Sequence, residues 1–139
     1  MYKIFITLVL FFSIHLTTFA SEEAPLSIHG VTTISAEDLI TLLHSDKGIA
    51  LIDARIKEDR KIAIIEGSIS LPNTETDCNS LENIIPTQSS PVIFYCNGVK
   101  CGRSLKSAKI AKQCGYQIIY WFRGGIEEWL KKDFPYSVE

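Results

Sequence analysis

The stretch that decides the fold is VIFYCNGVKCGRS, residues 92–104. Its first four residues, from Val92 to Tyr95, are β-branched or aromatic and form a continuous apolar run, which is typical of a buried strand. A loop of small and polar residues follows, and a helix is predicted from about Arg103 to Cys114, with Gly115 ending it. The pattern therefore predicts a strand, a loop and a helix, with Cys96 at the carboxyl end of the strand.

On both sides of this unit, short apolar runs alternate with amphipathic segments. Strands are predicted at 31–34, 49–52, 68–71 and 117–121, and helices at 36–45, near Leu81 and at 126–131. This alternation predicts an α/β fold, an open and mostly parallel sheet with helices on both faces. Ligands bind such folds beyond the carboxyl ends of the strands. Asp53, like Cys96, follows a strand.

The N-terminal residues have the pattern of a secretory signal peptide. Lys3 precedes an apolar run that ends in small residues before an acidic stretch. An uncleaved anchor is the alternative, but a span needs about 20 apolar residues and polar residues interrupt this run. We expect residues 1–20 to be a signal peptide, 21–30 a flexible lead-in and 31–139 one domain. The protein is then exported, to the periplasm, without stable membrane insertion after cleavage.

The charge of the chain bears on its partners. The 139 residues carry a formal net charge of −2, which becomes −3 when residues 1–20 are removed with their single cation, Lys3. A mildly acidic chain lacks the basic surface of a nucleic-acid binder. We therefore expect no nucleic-acid partner.

The loop after Cys96 has the composition of an anion-binding site. Gly98 and Gly102 permit positive φ angles, so successive N–H groups can turn inward as a nest. Lys100 and Arg103 add positive charge, and the following helix adds its N-terminal dipole. These surroundings stabilise a thiolate, the nucleophilic form of cysteine. We predict that Cys96 is a nucleophile; the alternative is a buried cysteine that acts as a small apolar residue.

All four cysteines lie in the part of the chain predicted to be exported, where thiols tend to pair. Three complete pairings are possible, and the sequence does not choose among them. Cys101 is either a resolving thiol that attacks a modified Cys96 or a small residue that fills the loop. Cys114 lies on the apolar stripe of its helix and is expected in the core. Cys78 has no clear partner.

Several motifs together resemble the rhodanese family, from Ile34 to Asp133. They are ISAEDL at 34–39, LIDAR at 51–55, EGSISLP at 66–72, the cysteine loop, and WFRGGIEEW at 121–129. One departure is Ala63-Ile64-Ile65-Glu66, where many members have Gly-His-Ile-Pro; we interpret the missing histidine as structural. The aromatic residues Trp121, Phe122 and Trp129 are expected in the core and not in a ligand site.

The resemblance implies a sulfurtransferase. Cys96 would accept sulfane sulfur from an anionic donor such as thiosulfate, carry it as a persulfide and pass it to a thiol or to cyanide. The backbone of Asn97, Gly98, Val99, Lys100, Cys101 and Gly102 would hold the persulfide. Lys100 and Arg103 would steer the donor, and Asp53 and Arg55 would brace the loop. Neither a metal nor an organic cofactor is implied.

Two alternatives keep the fold and change the chemistry. The spacing from Cys96 to Arg103 is C-x6-R, which fits neither the shorter loop of sulfurtransferases nor the C-x5-R loop of phosphatase relatives, so a phosphatase or arsenate reductase is one alternative. The other is a non-catalytic module that carries sulfur or binds a redox partner protein, with Cys96 and Cys101 paired. A Cys-His enzyme is poorly supported, because the histidine nearest the loop in sequence, His44, is expected at the surface.

Overall fold

The computed structural model describes residues 22–139, and the predicted signal peptide lies outside the described residues. Strands and helices alternate along the chain. They are β1 (Thr32–Ile34), α1 (Ala36–Ser45), β2 (Ala50–Asp53), a 3₁₀ helix (Lys57–Lys61), β3 (Ile69–Ser70), α2 (Cys78–Glu82), β4 (Val92–Tyr95), α3 (Arg103–Gln113), β5 (Ile119–Phe122) and α4 (Gly125–Lys131). No helix within this part of the chain has the length and apolar character needed to cross a membrane.

The five strands form one open sheet in the order β1-β5-β4-β2-β3, and each neighbouring pair is parallel. The predicted α/β class is confirmed. β4 is the central strand, and its last residue, Tyr95, is in register with Asp53 of β2 and Phe122 of β5. The carboxyl ends of these three strands therefore lie side by side, at the edge where ligands bind in such folds.

Helices cover both faces of the sheet. Alternate strand residues such as Ile52 and Phe94 pack with Leu81 of α2 and Ala108 of α3 on one face. The remaining strand residues pack on the other face against α1 and α4, among them Leu51, Ile93 and Phe122. Coverage of both faces explains why β2 and β4 are continuous apolar runs. Trp121 and Phe122 are fully buried and Trp129 is 5% exposed, which confirms their prediction as core residues.

The ends of the elements follow local chemistry. Ser35 and Asp38 form a reciprocal capping box at the start of α1. Gly115, at φ +93°, ends α3 as predicted. β5 begins two residues later than the predicted start at 117, because the Gln117 N–H donates instead to the carbonyl of Gln88 (2.9 Å).

The cysteines form two disulfides, Cys78–Cys114 and Cys96–Cys101. The first joins the start of α2 to the C-cap of α3, across a Cα–Cα distance of 5.5 Å. This corrects two expectations. Cys78 does have a partner, and Cys114 is only half-buried at the margin of the core, where its sulfur bonds to the exposed Cys78. The cause is tertiary, since packing of α2 on α3 brings residues 36 positions apart into contact.

Candidate active site

Cys96 is the first residue after the central strand. It is 1% exposed, and its Sγ is bonded to that of Cys101, across a Cα–Cα distance of 6.3 Å. This distance is within the usual range for a disulfide. Cys101 is half-buried, so the more exposed cysteine of the pair is on the loop and the less exposed one directly follows the strand.

The backbone just after β4 is anchored to the start of α4. The N–H of Ile126 donates to the carbonyl of Cys96 (3.0 Å), and the N–H of Glu127 donates to that of Asn97 (2.8 Å). Gly125 makes this approach possible. It has φ +57°, and a Cβ there would clash with the Cys96 carbonyl oxygen. Gly125, the first residue of α4, therefore allows the helix start to fix the position of the cysteine backbone.

The carbonyl groups of the loop are hydrogen-bonded along its first half. Besides those of Cys96 and Asn97, the carbonyl of Gly98 accepts from the Cys101 N–H (2.9 Å) and that of Val99 from the Ala24 N–H (2.7 Å). The amide N–H groups behave differently. Among residues 22–139, no acceptor pairs with the N–H of any of five loop residues: Asn97, Gly98, Val99, Lys100 and Gly102. The loop thus keeps free donors and few free acceptors, which suits an anionic ligand.

The loop glycines do not use the positive φ angles that glycine permits. Gly102 has φ −86°, and Gly98 is not among the glycines with positive φ in the described part of the chain. The turn closed by the Gly98–Cys101 hydrogen bond and by the disulfide does not need a left-handed residue. A Cβ at Gly98 would meet the carboxylate of Glu127, the end of an exposed side chain that would have to move aside.

Beneath the loop lies a buried carboxylate, Asp53, with five hydrogen-bond donors. Arg55 donates its backbone N–H (3.1 Å) and Nε (2.9 Å) to Oδ1 and its Nη2 (2.7 Å) to Oδ2. Oδ2 also accepts from Arg60 Nη1 (3.1 Å) and from the Tyr95 hydroxyl (2.8 Å). The side chains of Asp53 and Arg55 are 0% and 2% exposed. A buried charge is tolerated only when it is paired in this way.

Arg55 also connects this network to the loop, because its Nη1 donates to the side-chain oxygen of Asn97 (3.5 Å). The structure therefore places Arg55 in contact with Asn97, one of the loop residues that it was expected to brace, whereas Asp53 reaches the loop only through Arg55. The environment affects Tyr95 as well. Burial, followed by the negative charge of Asp53, raises the pKa of the Tyr95 hydroxyl well above its ordinary value. The phenol is neutral and donates a hydrogen bond to Oδ2 of Asp53.

The two cations of the loop are placed differently. The Arg103 guanidinium is paired with Asp59 (Nη1 to Oδ2, 3.0 Å), and the same Oδ2 accepts from the Asn97 amide (3.3 Å). Lys100 is exposed. Of the two residues expected to steer an anion, Arg103 is therefore partly neutralised by an ion pair, whereas Lys100 lies open to solvent.

The described part of the lead-in also contacts the loop. Besides the Ala24–Val99 hydrogen bond, Arg123 donates from Nη2 to the carbonyl of Ala24 (2.7 Å) and from Nε to that of Pro25 (2.9 Å). Ile28 of this segment is only 8% exposed and belongs to the core. Arg123, which follows β5, thus holds the lead-in against the cysteine loop.

Sequence reasoning missed four contributors to the site: Asp59, Arg60, Tyr95 and Glu127. Asp59 and Arg60 lie in the 3₁₀ helix, within a polar stretch that has no apolar periodicity. Within residues 22–139, no cluster of three or more His, Cys, Asp or Glu side chains is arranged to bind a metal. A surface cavity of about 600 Å³ lies beside α3 and is lined by residues such as Pro25, Leu105 and Lys109, and not by Cys96.

The structure is thus a parallel α/β domain whose candidate site is a cysteine at the carboxyl end of the central strand, followed by a loop with unpaired amide N–H groups and a second cysteine. Comparison with known proteins identifies the family of this domain. The family model described as the rhodanese-like domain matches residues 35–132. The chain belongs to this family.

Individual relatives support the assignment. The chain is 32% identical over 96 residues to a rhodanese domain-containing protein of Drosophila melanogaster, covering 61% of this chain and 85% of that protein. The solved polysulfide-sulfur transferase of Wolinella succinogenes has a TM-score of 0.64 and 22% identity, with 78% of this chain and 80% of that chain covered. The thiosulfate sulfurtransferase of Pseudomonas aeruginosa has a TM-score of 0.62 and 21% identity, covering 79% of this chain but 21% of that chain. At these identities, the two structures show a shared fold.

Proposed function

We propose that the protein is a sulfurtransferase that moves sulfane sulfur from an anionic donor such as thiosulfate to a thiol or cyanide, through a persulfide on Cys96. The observation that carries this proposal is the loop itself. Cys96 lies where five amide donors are unpaired and the neighbouring carbonyl groups are engaged elsewhere. The two solved sulfur transferases with the same fold support the reaction class.

The chemistry takes two steps. The Cys96 thiolate attacks the outer sulfur of thiosulfate, the S–S bond of the donor breaks, and sulfite leaves with the electron pair. The acceptor thiolate or cyanide then attacks the outer sulfur of the persulfide, and the Cys96 thiolate leaves. Unpaired loop amides are suited to stabilise the negative charge that appears in both steps. Arg55 and Asp53 hold Asn97, and hence the loop, in position.

Sulfur transfer requires the reduced form of Cys96, because a disulfide sulfur has no thiolate to attack with. We propose that the protein is exported to the periplasm and that a redox partner protein keeps this site reduced in that oxidising compartment. The small donor and acceptor molecules would reach the site from solvent, past Lys100.

The proposal is tested with reduced protein, thiosulfate and cyanide, by measuring thiocyanate formation and mapping all four cysteines by mass spectrometry. We expect Cys96→Ser to lower the rate by about a thousandfold or more, since no other thiol occupies the loop base. The matched control is the double variant C78S/C114S, which removes two cysteines away from the site and keeps the activity. The proposal fails if reduced wild-type protein neither transfers sulfur nor carries an added sulfur on Cys96.

A second candidate is a redox-active module that carries sulfur or binds a partner protein without catalysing transfer. The Cys96–Cys101 disulfide favours it. Thiol counting on protein isolated without reductant, together with peptide mapping, tests this candidate. A linked 96–101 peptide combined with no thiosulfate activity after reduction supports it, and an accessible Cys96 thiol in the isolated protein contradicts it.

A phosphatase or arsenate reductase is less well supported. Such an activity would need Arg103 to bind the oxyanion directly, and its guanidinium is engaged by Asp59. Hydrolysis of an aryl phosphate by wild-type protein, lost in Arg103→Ala, is the result that would favour this alternative.

A further inference from the structure

Cys101 has a position that the sulfur-transfer proposal does not explain. Its sulfur reaches the sulfur of Cys96 across one short turn, with a sequence separation of 5. The Gly98–Cys101 hydrogen bond (2.9 Å) holds this turn, and two further segments fix the loop, one through Ala24 and the other through Ile126 and Glu127 of α4. A thiol held this close to Cys96 competes strongly with any external acceptor, because its attack is intramolecular.

We propose that Cys101 is a catalytic residue that resolves the Cys96 persulfide and releases sulfide. This proposal rests on the proposed function, because it requires a persulfide on Cys96. The thiolate of Cys101 attacks Sγ of Cys96, a disulfide bond forms between the two cysteines, and the bond from Cys96 Sγ to the outer sulfur breaks. Hydrosulfide leaves with the electron pair.

The geometry specifies which sulfur is attacked. Attack on the outer sulfur would move the persulfide to Cys101 and would leave no bond between the two cysteines. Attack on the inner sulfur produces the Cys96–Cys101 disulfide, which is the bond present in the structure. The thiolate of Cys101 is favoured by the neighbouring Lys100 and by the start of α3 two residues later.

The overall reaction balances with thiosulfate as the donor. Two thiols of the protein and one thiosulfate give the protein disulfide, one sulfite, one hydrosulfide and one proton. The two electrons that reduce the sulfane sulfur come from Cys96 and Cys101. A second reactant is therefore required for turnover, namely a dithiol protein or dithiol reagent that reduces the disulfide and is itself oxidised to a disulfide.

Exposure decides where this dithiol attacks. Cys96 is 1% exposed and Cys101 is half-buried, so the reductant reaches the sulfur of Cys101 first. The mixed disulfide then forms on Cys101, and Cys96 leaves as the thiolate. A thiolate stabilised by its surroundings is also the better leaving group. Reduction thus returns Cys96 directly to its nucleophilic form.

The test is a single turnover. The protein is fully reduced, freed of reductant without oxygen, and mixed with an equal amount of thiosulfate; sulfite, sulfide and the state of each cysteine are then measured. Wild-type protein is expected to release equal amounts of sulfite and sulfide and to end with a linked 96–101 peptide. Cys101→Ser is expected to release sulfite, to lower the sulfide yield by about tenfold or more, and to keep the added sulfur on Cys96.

The controls separate the outcomes. C78S/C114S should behave as wild type, which excludes the other two thiols as the source of electrons. A stable Cys96 persulfide without sulfide in wild type, or equal sulfide from wild type and Cys101→Ser, overturns the role of Cys101. Absence of sulfite from every variant overturns the proposed function instead. Cys101→Ala repeats the test if the serine variant does not fold, and the wild-type products decide alone if neither does.

Discussion

The two disulfides of this domain are the same bond in two different settings. Cys78–Cys114 joins two helices across 36 positions of sequence, and Cys96–Cys101 closes a single turn across 5. Loop-closure entropy gives about 4 kcal/mol of stabilisation for the first and about 2 kcal/mol for the second. The smaller contribution belongs to the bond that lies at the candidate nucleophile. The difference shows that Cys78–Cys114, the long link, is suited to stabilising the fold, and that Cys96–Cys101, the short link, is suited to chemistry.

The largest expected effect on stability comes from removing the long link. The double variant C78S/C114S should lose about 4 kcal/mol of unfolding free energy, whereas C96S/C101S should lose about 2 kcal/mol. Urea denaturation without reductant measures both. After reduction, C78S/C114S should transfer sulfur as fast as reduced wild type while C96S/C101S is inactive. Equal stability losses, or loss of transfer in C78S/C114S, would remove the distinction between the two bonds.

A second variant disturbs only the surroundings of the short link. Gly125 has a positive φ, and Gly125→Ala places a methyl group against the Cys96 carbonyl. We expect the free energy of unfolding to fall by about 3 kcal/mol and sulfur transfer to become slower. Gly67→Ala is the matched control. Its φ is +80°, but a Cβ there meets no atom within 4 Å. The free energy of unfolding should therefore fall by only about 1 kcal/mol, and the rate of sulfur transfer should be unchanged. Similar results for both would mean that backbone strain alone, and not the contact with Cys96, matters.

The charged network beneath the short link gives a pH dependence. The raised pKa of Tyr95 favours the neutral phenol in the folded state. The contribution of the neutral Tyr95 phenol to the free energy of unfolding is complete below the pKa of tyrosine in the unfolded chain, about 10. It is lost as the pH rises from there through the pKa of Tyr95 in the folded protein. At about pH 11 the loss should approach 1 kcal/mol, measured by denaturation. Tyr95→Phe should remove this part of the decrease in unfolding free energy at high pH. Tyr136→Phe, at an exposed position, should not.

The smallest effect concerns the ion pair at the rim of the site. Asp59→Asn should change stability by about 0.5 kcal/mol, because the Arg103 side chain is 36% exposed and solvent screens the pair. It should also lower the KM for thiosulfate by about twofold, since the unpaired Arg103 attracts the anion. Glu75→Gln, which breaks the exposed pair with Lys57, serves as control and should leave KM unchanged. A raised KM in Asp59→Asn would mean that Asp59 positions the loop through Asn97.

The sequence predicts the strand–loop–helix unit well, because its signals are local. Each signal lies within a few residues of sequence: an apolar run, a cysteine, and an amphipathic segment that ends at a glycine. The observed β4 and α3 match their predicted positions closely. The parallel sheet follows from the alternation of such units. The bounds of β3 are less accurate: the strand covers only Ile69–Ser70 of the predicted 68–71, and the N–H of Ser68 donates instead to the carbonyl of Ile65 (3.1 Å).

The sequence does not predict contacts between distant segments. The Cys78–Cys114 bond depends on how α2 packs on α3, and four cysteines alone leave three pairings open. Arg60 reaches Asp53 from a polar 3₁₀ helix that has no periodic signal. The φ angles of Gly98 and Gly102 also depend on the disulfide and the hydrogen bond that close the loop, whereas composition only shows what glycine permits.

The hydrogen bonds to the carbonyl groups of the cysteine loop show which parts of the chain the reactivity of Cys96 depends on. Three of the four N–H groups that bind them belong to residues 24, 126 and 127, which are far from the loop in sequence. A synthetic peptide of residues 92–104 would contain both cysteines and both cations, yet its carbonyl oxygens would be free to turn toward a bound anion. The chemistry of Cys96 is therefore a property of the assembled domain, in which distant segments orient the backbone dipoles of one short loop.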